Sequence, residues 1–142
     1  MINLTDPTQQ TLRSMAFGHL TVANGENAIA AGKHTFAIGA NAVAMGYKAQ
    51  AQGRDSFAFG SYNSSATDET TVAGGIGSFA FGYGVVASDK SAVAMGGLTK
   101  ASNMYSLATG YSTEASGAYS AAFNNTAKAK GSSSFAANAA VT

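Results

Sequence analysis

The chain has 142 residues, of which 30 are alanine, 17 glycine and 16 serine, while Leu, Ile, Val and Phe together number only 24. Charged residues make up 11% and the formal net charge is +1, so the sequence has neither the charge excess of a disordered chain nor the basic surplus that binds nucleic acid or an anionic membrane. There is no cysteine to form a disulfide or a thiolate metal site, and no apolar run approaches the roughly 20 residues of a membrane helix.

Residues 1–13 are not repetitive. The stretch MINLTDPTQQ lacks a basic region followed by an apolar one and does not read as a signal peptide. Asp6-Pro7 predicts a helix start, an N-cap followed by proline at the first helical position. This segment is expected to cap or attach whatever follows it.

From Ser14 onward the chain is periodic. An apolar-Ala-x-Gly fragment appears as Met15-Ala16-Phe17-Gly18, Ile29-Ala30-Ala31-Gly32, Val43-Ala44-Met45-Gly46 and Phe57-Ala58-Phe59-Gly60. It returns as Phe79-Ala80-Phe81-Gly82, Val93-Ala94-Met95-Gly96 and Leu107-Ala108-Thr109-Gly110, then more weakly from Ala121 and Phe135. The unit starts at Ser14, Ala28, Ala42, Ser56, Ser78, Ala92, Ser106, Ser120 and Ser134, so each step is 14 except one of 22. Numbered 1 to 14, the unit has alanine at 3 and 10, and glycine or asparagine at 5 and 12.

Alternation over five residues followed by glycine predicts a short strand and a corner. Glycine and asparagine at positions 5 and 12 are expected to supply the positive φ of those corners. Two strands and two corners per 14 residues make one small coil. Stacked coils place equivalent strands about 4.8 Å apart in parallel sheets, giving an all-β, parallel β-solenoid. Roughly nine coils make a rod about 40 Å long at that spacing.

Only methyl-sized groups fit inside so thin a coil, so the alanines are expected to be its core. Positions 2 and 4 point the other way. They carry Met15, Phe17, Val43, Met45, Phe57 and Phe59, then Phe79, Phe81, Val93, Met95 and Phe123. An apolar strip of this size needs a partner, and an identical strip along a rod favours a cyclic homo-oligomer. Positions 9 and 11 of later coils, among them Gln50, Lys100, Glu114 and Lys128, read as a solvated face. In early coils the same positions hold Val22, Phe36, Ile38, Val72 and Val86. Phe36 with Ile38 is a candidate docking patch, expected to be covered by residues 1–13 or by another protein.

The step of 22 is an eight-residue insertion, Asn63, Ser64, Ser65, Ala66, Thr67, Asp68, Glu69 and Thr70. It is polar, holds two of the seven acids, and is a candidate binding loop or a tolerated surface insertion. His19 and His34 fall at corners of adjacent coils, close enough in register to meet, but no further ligand accompanies them and no metal or cofactor is expected. The tyrosines Tyr47, Tyr62, Tyr83, Tyr105, Tyr111 and Tyr119 fall at or near corners, where they cover coil edges or contact a receptor. Thr21, Thr35, Thr71, Thr99 and Thr113 share position 8, a broken ladder of the kind an ice-binding solenoid displays. No Gly-x-Ser-x-Gly context, phosphate loop or paired catalytic carboxylates appear, so no enzyme is expected.

Ser-Phe-Ala-Phe-Gly, Ala-Val-Ala-Met-Gly and Ser-Leu-Ala-Thr-Gly at 14-residue steps resemble the head repeats of trimeric autotransporter adhesins, with the YadA-like head as the type. The resemblance spans about residues 14–142. It implies a left-handed parallel β-roll, three chains to a spike, with the large apolar residues facing the trimer centre. Members also carry a signal peptide, a coiled-coil stalk and a membrane anchor, none of which is read in this chain. The expectation is therefore a non-catalytic homotrimeric spike on a virion surface, as a capsid decoration or a tail or head fibre, docking on a capsid or tail protein. The alternative is the head of a bacterial adhesin, held at the outer membrane and binding a host receptor. Neither setting involves nucleic acid or insertion of this chain into a membrane.

Overall fold

A computed structural model of the protein describes residues 13–62 and 69–137. The described residues form two parallel sheets wound into a β-solenoid. The front sheet has nine strands, from Met15–His19 to Phe135–Ala137. The back sheet has eight shorter ones, from Val22–Ala23 to Lys128–Ala129. Strands alternate between the sheets along the chain, so eight coils are complete and a ninth is begun.

The register repeats without slippage. Ala16 lies beside Ala30, Ala30 beside Ala44 and Ala44 beside Ala58, each a step of 14. Across the insertion Ala49 pairs with Thr71 and Phe57 with Phe79, both steps of 22. The ladders on either side of the insertion thus keep their register, and residues 63–68 lie outside the described part.

Between the sheets runs a core of alanine. Ala30, Ala44, Ala58, Ala80 and Ala94 of the front sheet and Ala37, Ala51, Ala73, Ala87 and Ala101 of the back sheet are all fully buried. Alanine adds one methyl and loses no side-chain entropy when it is buried. The largest fully buried side chain is only Val85.

Positions 1 and 8 also face inward, two residues before the alanines of positions 3 and 10 and on the same side of their strands. Ser56, Ser78, Ser106 and Ser120 line one side, and Thr35, Thr71, Thr99 and Thr113 the other, all essentially without solvent exposure. The expected display of a threonine ladder is corrected here: its described members from Thr35 onward are interior, and Thr21 is half-buried. Thr71 donates its hydroxyl to the Gly82 carbonyl at 2.6 Å. The hydroxyls of Thr35, Thr99 and Thr113 find no partner among the described residues.

The corners also differ from expectation. Position 5 has positive φ, as Gly18 at 126° and Gly32 at 129° show. Position 12 does not: Gly25 and Gly39 have ordinary φ, yet a Cβ on Gly25 would overlap the carbonyl oxygen of Gly39. Close stacking of coils requires glycine at Gly25 and Gly39, while Asp89 and Asn103 occupy the same repeat position in later coils. The left-handed residues are at positions 7 and 14, and most carry side chains: Leu20, His34, Asn41, Leu98, Tyr119 and Thr126 all have φ between 54° and 58°. Such a φ is uncommon for any residue with a Cβ and an outlier for a β-branched one.

The compensation is a hydrogen bond to the preceding coil. His34 donates its backbone N–H to the His19 carbonyl at 2.9 Å, and Leu98 to Tyr83 at 2.9 Å. At the other edge Asn41 donates to Glu26 at 2.7 Å and Tyr119 to Met104 at 3.0 Å. Both corners are thereby tied to the stack.

Candidate functional site

The rod offers two outer faces and two edges. The front face is built by positions 2 and 4, which alternate with the buried alanines. Phe17 is 60% exposed and Phe81 53%, and Met15, Met45, Phe57 and Met95 are also exposed. Val43, Phe59, Phe79, Val93 and Phe123 are half-buried. These side chains touch along the rod: Phe59 meets Phe79 and Phe81 at ring-centroid distances of 6.0 and 6.2 Å, and Phe123 meets Phe135 at 5.6 Å. All eleven residues singled out from the sequence lie on this one face and form a continuous apolar strip.

The back face changes character along its length. Val22 and Ile38 are exposed, while Phe36, Val72 and Val86 are half-buried. Phe36 sits between Val22 and Gln50 in the ladder. Farther on, Lys100 lies beside Glu114 and Glu114 beside Lys128, an alternation of charge across three coils. A groove of about 440 Å³ opens there, lined by Glu69, Leu98, Lys100, Glu114 and Lys128 among others. Glu69, the last acid of the insertion, reaches this groove by lying over Gly84; a Cβ on Gly84 would stand 3.0 Å from the Glu69 carboxylate. Of the candidate loop, Glu69 and Thr70 are described. Asn63, Ser64, Ser65, Thr67 and Asp68 lie outside the described residues, as do residues 1–12 with the predicted helix start at Asp6-Pro7.

The edges carry ladders of their own. At the position 6–7 edge, His19 and His34 stand edge-on with ring centroids 5.9 Å apart, and His34 continues to Tyr47 at 6.4 Å and Tyr47 to Tyr62 at 5.1 Å. Among the described residues no group of three or more metal-ligating side chains occurs. At the position 13–14 edge, Asn27 donates to Asn41 at 3.2 Å and Asn41 to Asp55 at 2.8 Å. Farther along the same edge Tyr105 stacks on Tyr119 at 5.3 Å with the rings 12° apart. Tyr47, Tyr62, Tyr105 and Tyr119 thus meet neighbouring rings along the coil edges. The Asn27–Asn41–Asp55 ladder escaped notice in the sequence, although a polar amide or acid every 14 residues was its visible sign.

Stacked 14-residue coils with an alanine core and one apolar outer face define a repeat-built parallel β-solenoid. The YadA head domain repeat (2 copies) matches residues 12–35, 37–63, 73–99, 87–113 and 101–123. These matches cover most of the chain, which therefore belongs to the YadA head repeat family and is an adhesin-type structural protein. No curated protein matches the chain.

Proposed function

We propose that the protein is a non-catalytic homotrimeric spike, with the front faces of three chains meeting along a common axis. The observation that carries this reading is the exposed apolar strip on the nine-stranded sheet, Met15 through Phe123. The interior points the same way. A core whose largest buried side chain is Val85 gains little per residue, because a buried methyl is worth about 0.8 kcal/mol. Burying a Phe or Met of the strip adds roughly 1.5–3 kcal/mol each. Folding and association are then one event, and the spike is stiff because hydrogen-bond ladders run its length. A sedimentation mass of three chains is the expected result; a folded, stable monomer overturns the reading.

The particle that carries the spike is, in this reading, a virion, with residues 1–13 as the attachment segment and Phe36 with Ile38 as the docking patch for that segment or for a capsid or tail protein. The period is first read at Ser14, and residues 1–13 do not follow it in sequence. Antibody labelling of purified virions tests it; label on the bacterial envelope instead assigns the chain to a cell-surface adhesin.

The insertion, residues 63–70, is proposed as a loop that contacts the target and is displayed three times. Deleting it joins Tyr62 to Thr71 and restores the period of 14, so the rod stays folded while attachment falls. Unchanged attachment makes it a surface insertion only.

A further inference from the structure

We infer that the position 6–7 edge of the first four coils is a binding strip for a linear anionic polysaccharide, bearing uronate or sulfate groups. This goes beyond the trimeric spike and stands on the geometry of a single chain.

Four rings follow one another along this edge, one per coil: His19, His34, Tyr47 and Tyr62. Three coil steps give the strip a length of about 14 Å. His19 and Tyr62 are exposed, Tyr62 at 68%, and His34 and Tyr47 are half-buried. Two ammonium groups stand over the central ring, Lys33 Nζ at 5.9 Å from the Tyr47 centroid and Lys48 Nζ at 5.7 Å. Such cation–ring contacts hold the long lysine chains against the edge. The twelve corner residues 18–20, 32–34, 46–48 and 60–62 include no Asp or Glu. The opposite edge of the same coils carries Glu26 and the Arg54–Asp55 pair, and residues 82–84, 96–98, 110–112 and 124–126 of the later position 6–7 edge are uncharged, with the Glu69 carboxylate lying over Gly84. Positive charge and rings therefore coincide over four coils of this edge without an acid among the corner residues; on the opposite edge the Tyr105–Tyr119 pair has a single cation, Lys90 at 6.0 Å from the Tyr105 centroid, with Asp89 next to it in the chain.

The ligand must suit both features. A platform that repeats once per coil favours a polymer that repeats on a similar length, and ring surfaces favour units with a flat apolar face. Pyranose units have such a face, and their acidic substituents match the cationic border. Single-stranded nucleic acid calls for a positively charged groove that tracks its backbone; here the corner residues of this edge supply two lysines, Lys33 and Lys48, on a chain of net charge +1. An acidic peptide matches the charge but has no ring-shaped unit to lie on the platform.

The test is calorimetric titration of the full chain with a heparin octasaccharide, an alginate octasaccharide, neutral dextran, polyglutamate and an oligothymidylate. At least one acidic oligosaccharide binds saturably, and dextran does not. Tyr62→Ser and the double variant Lys33→Gln with Tyr47→Ser weaken that binding about tenfold or more, while Tyr119→Ser on the opposite edge leaves it unchanged. Melting temperature and sedimentation mass are read on every variant. Loss of binding at unchanged mass isolates this edge from the proposed trimer seam, and Tyr62→Ser, which alters an exposed ring at the end of the ladder, serves if the double variant is unstable. No binding of either acidic oligosaccharide overturns the inference. So does equal binding of polyglutamate or the oligothymidylate, or an equal loss in Tyr119→Ser.

Discussion

Gly39 lies directly against Gly53 in the stack, so close that a Cβ on the first would overlap the carbonyl oxygen of the second. The contact is between backbones, and neither side can rotate away. Gly131 occupies the same repeat position in the last described full coil, where a Cβ would meet nothing nearer than Ser134 at 3.7 Å. Gly39→Ala is therefore expected to cost about 1–3 kcal/mol, as overpacking does, and Gly131→Ala almost nothing. Thermal unfolding of the two variants side by side checks this; equal melting temperatures would refute the stacking account of position 12.

The unpartnered hydroxyls inside the roll give a prediction of opposite sign. Thr99 is fully buried and its Oγ1 has no partner among the described residues, whereas Thr71 donates to the Gly82 carbonyl. Val85 already occupies the same position in the coil between them. Thr99→Val should leave stability unchanged or raise it by up to about 1 kcal/mol, since it removes a desolvated hydroxyl, and Thr71→Val should lower it by about 1 kcal/mol. Chemical denaturation of the two variants reads both signs.

Phe81 separates the oligomer from the single chain. At 53% exposure it contributes little to an isolated rod, where a surface substitution changes stability by about 0.5 kcal/mol or less. In the proposed seam, Phe81→Ser removes roughly 1.5–3 kcal/mol per chain. The expected outcome is a lower melting temperature together with partial dissociation, followed by sedimentation at several concentrations. A variant that melts and sediments like the parent would sink the seam.

At the position 14 edge, Asn41 combines a left-handed backbone with a side chain bonded on both sides. Its φ is 55°, and it bridges Asn27 and Asp55. Asn41→Ala loses the bridge and keeps a Cβ in a left-handed conformation that costs roughly 1–2 kcal/mol without the local hydrogen bonding of the asparagine side chain. Asn41→Gly loses the bridge but tolerates the backbone, so it should cost less than the alanine. The order Asn, Gly, Ala in melting temperature is the expected result.

Much of this architecture was legible in the residues. The period of 14, the single step of 22 and the inward alanines follow from spacing, because a strand alternates every two residues and a solenoid repeats in register. The apolar front face follows from the same alternation, since Phe57 and Phe59 flank Ala58 and must point away from it. Alternation loses count at a corner, since positions 3 and 10 both face inward, one odd and one even. Within the back strand it holds: position 8 lies on the same side as the alanine of position 10, so the interior placement of Thr35, Thr99 and Thr113 was itself legible in the spacing.

What only the tertiary structure decided is where the backbone bends left-handed and which side chains meet at the edges. Nothing local to Leu20, Tyr119 or Thr126 favours positive φ. For Tyr119 and Thr126 the conformation is stabilised by a hydrogen bond to a carbonyl fifteen residues earlier, in the coil below. The meeting of His19, His34, Tyr47 and Tyr62 has the same origin. Their spacings of 15, 13 and 15 look irregular in the chain and become one continuous row only when positions 6 and 7 share a corner. The sequence by itself determined the coil, its core and its apolar face; stacking decided the corners, because their stabilising partners belong to neighbouring coils.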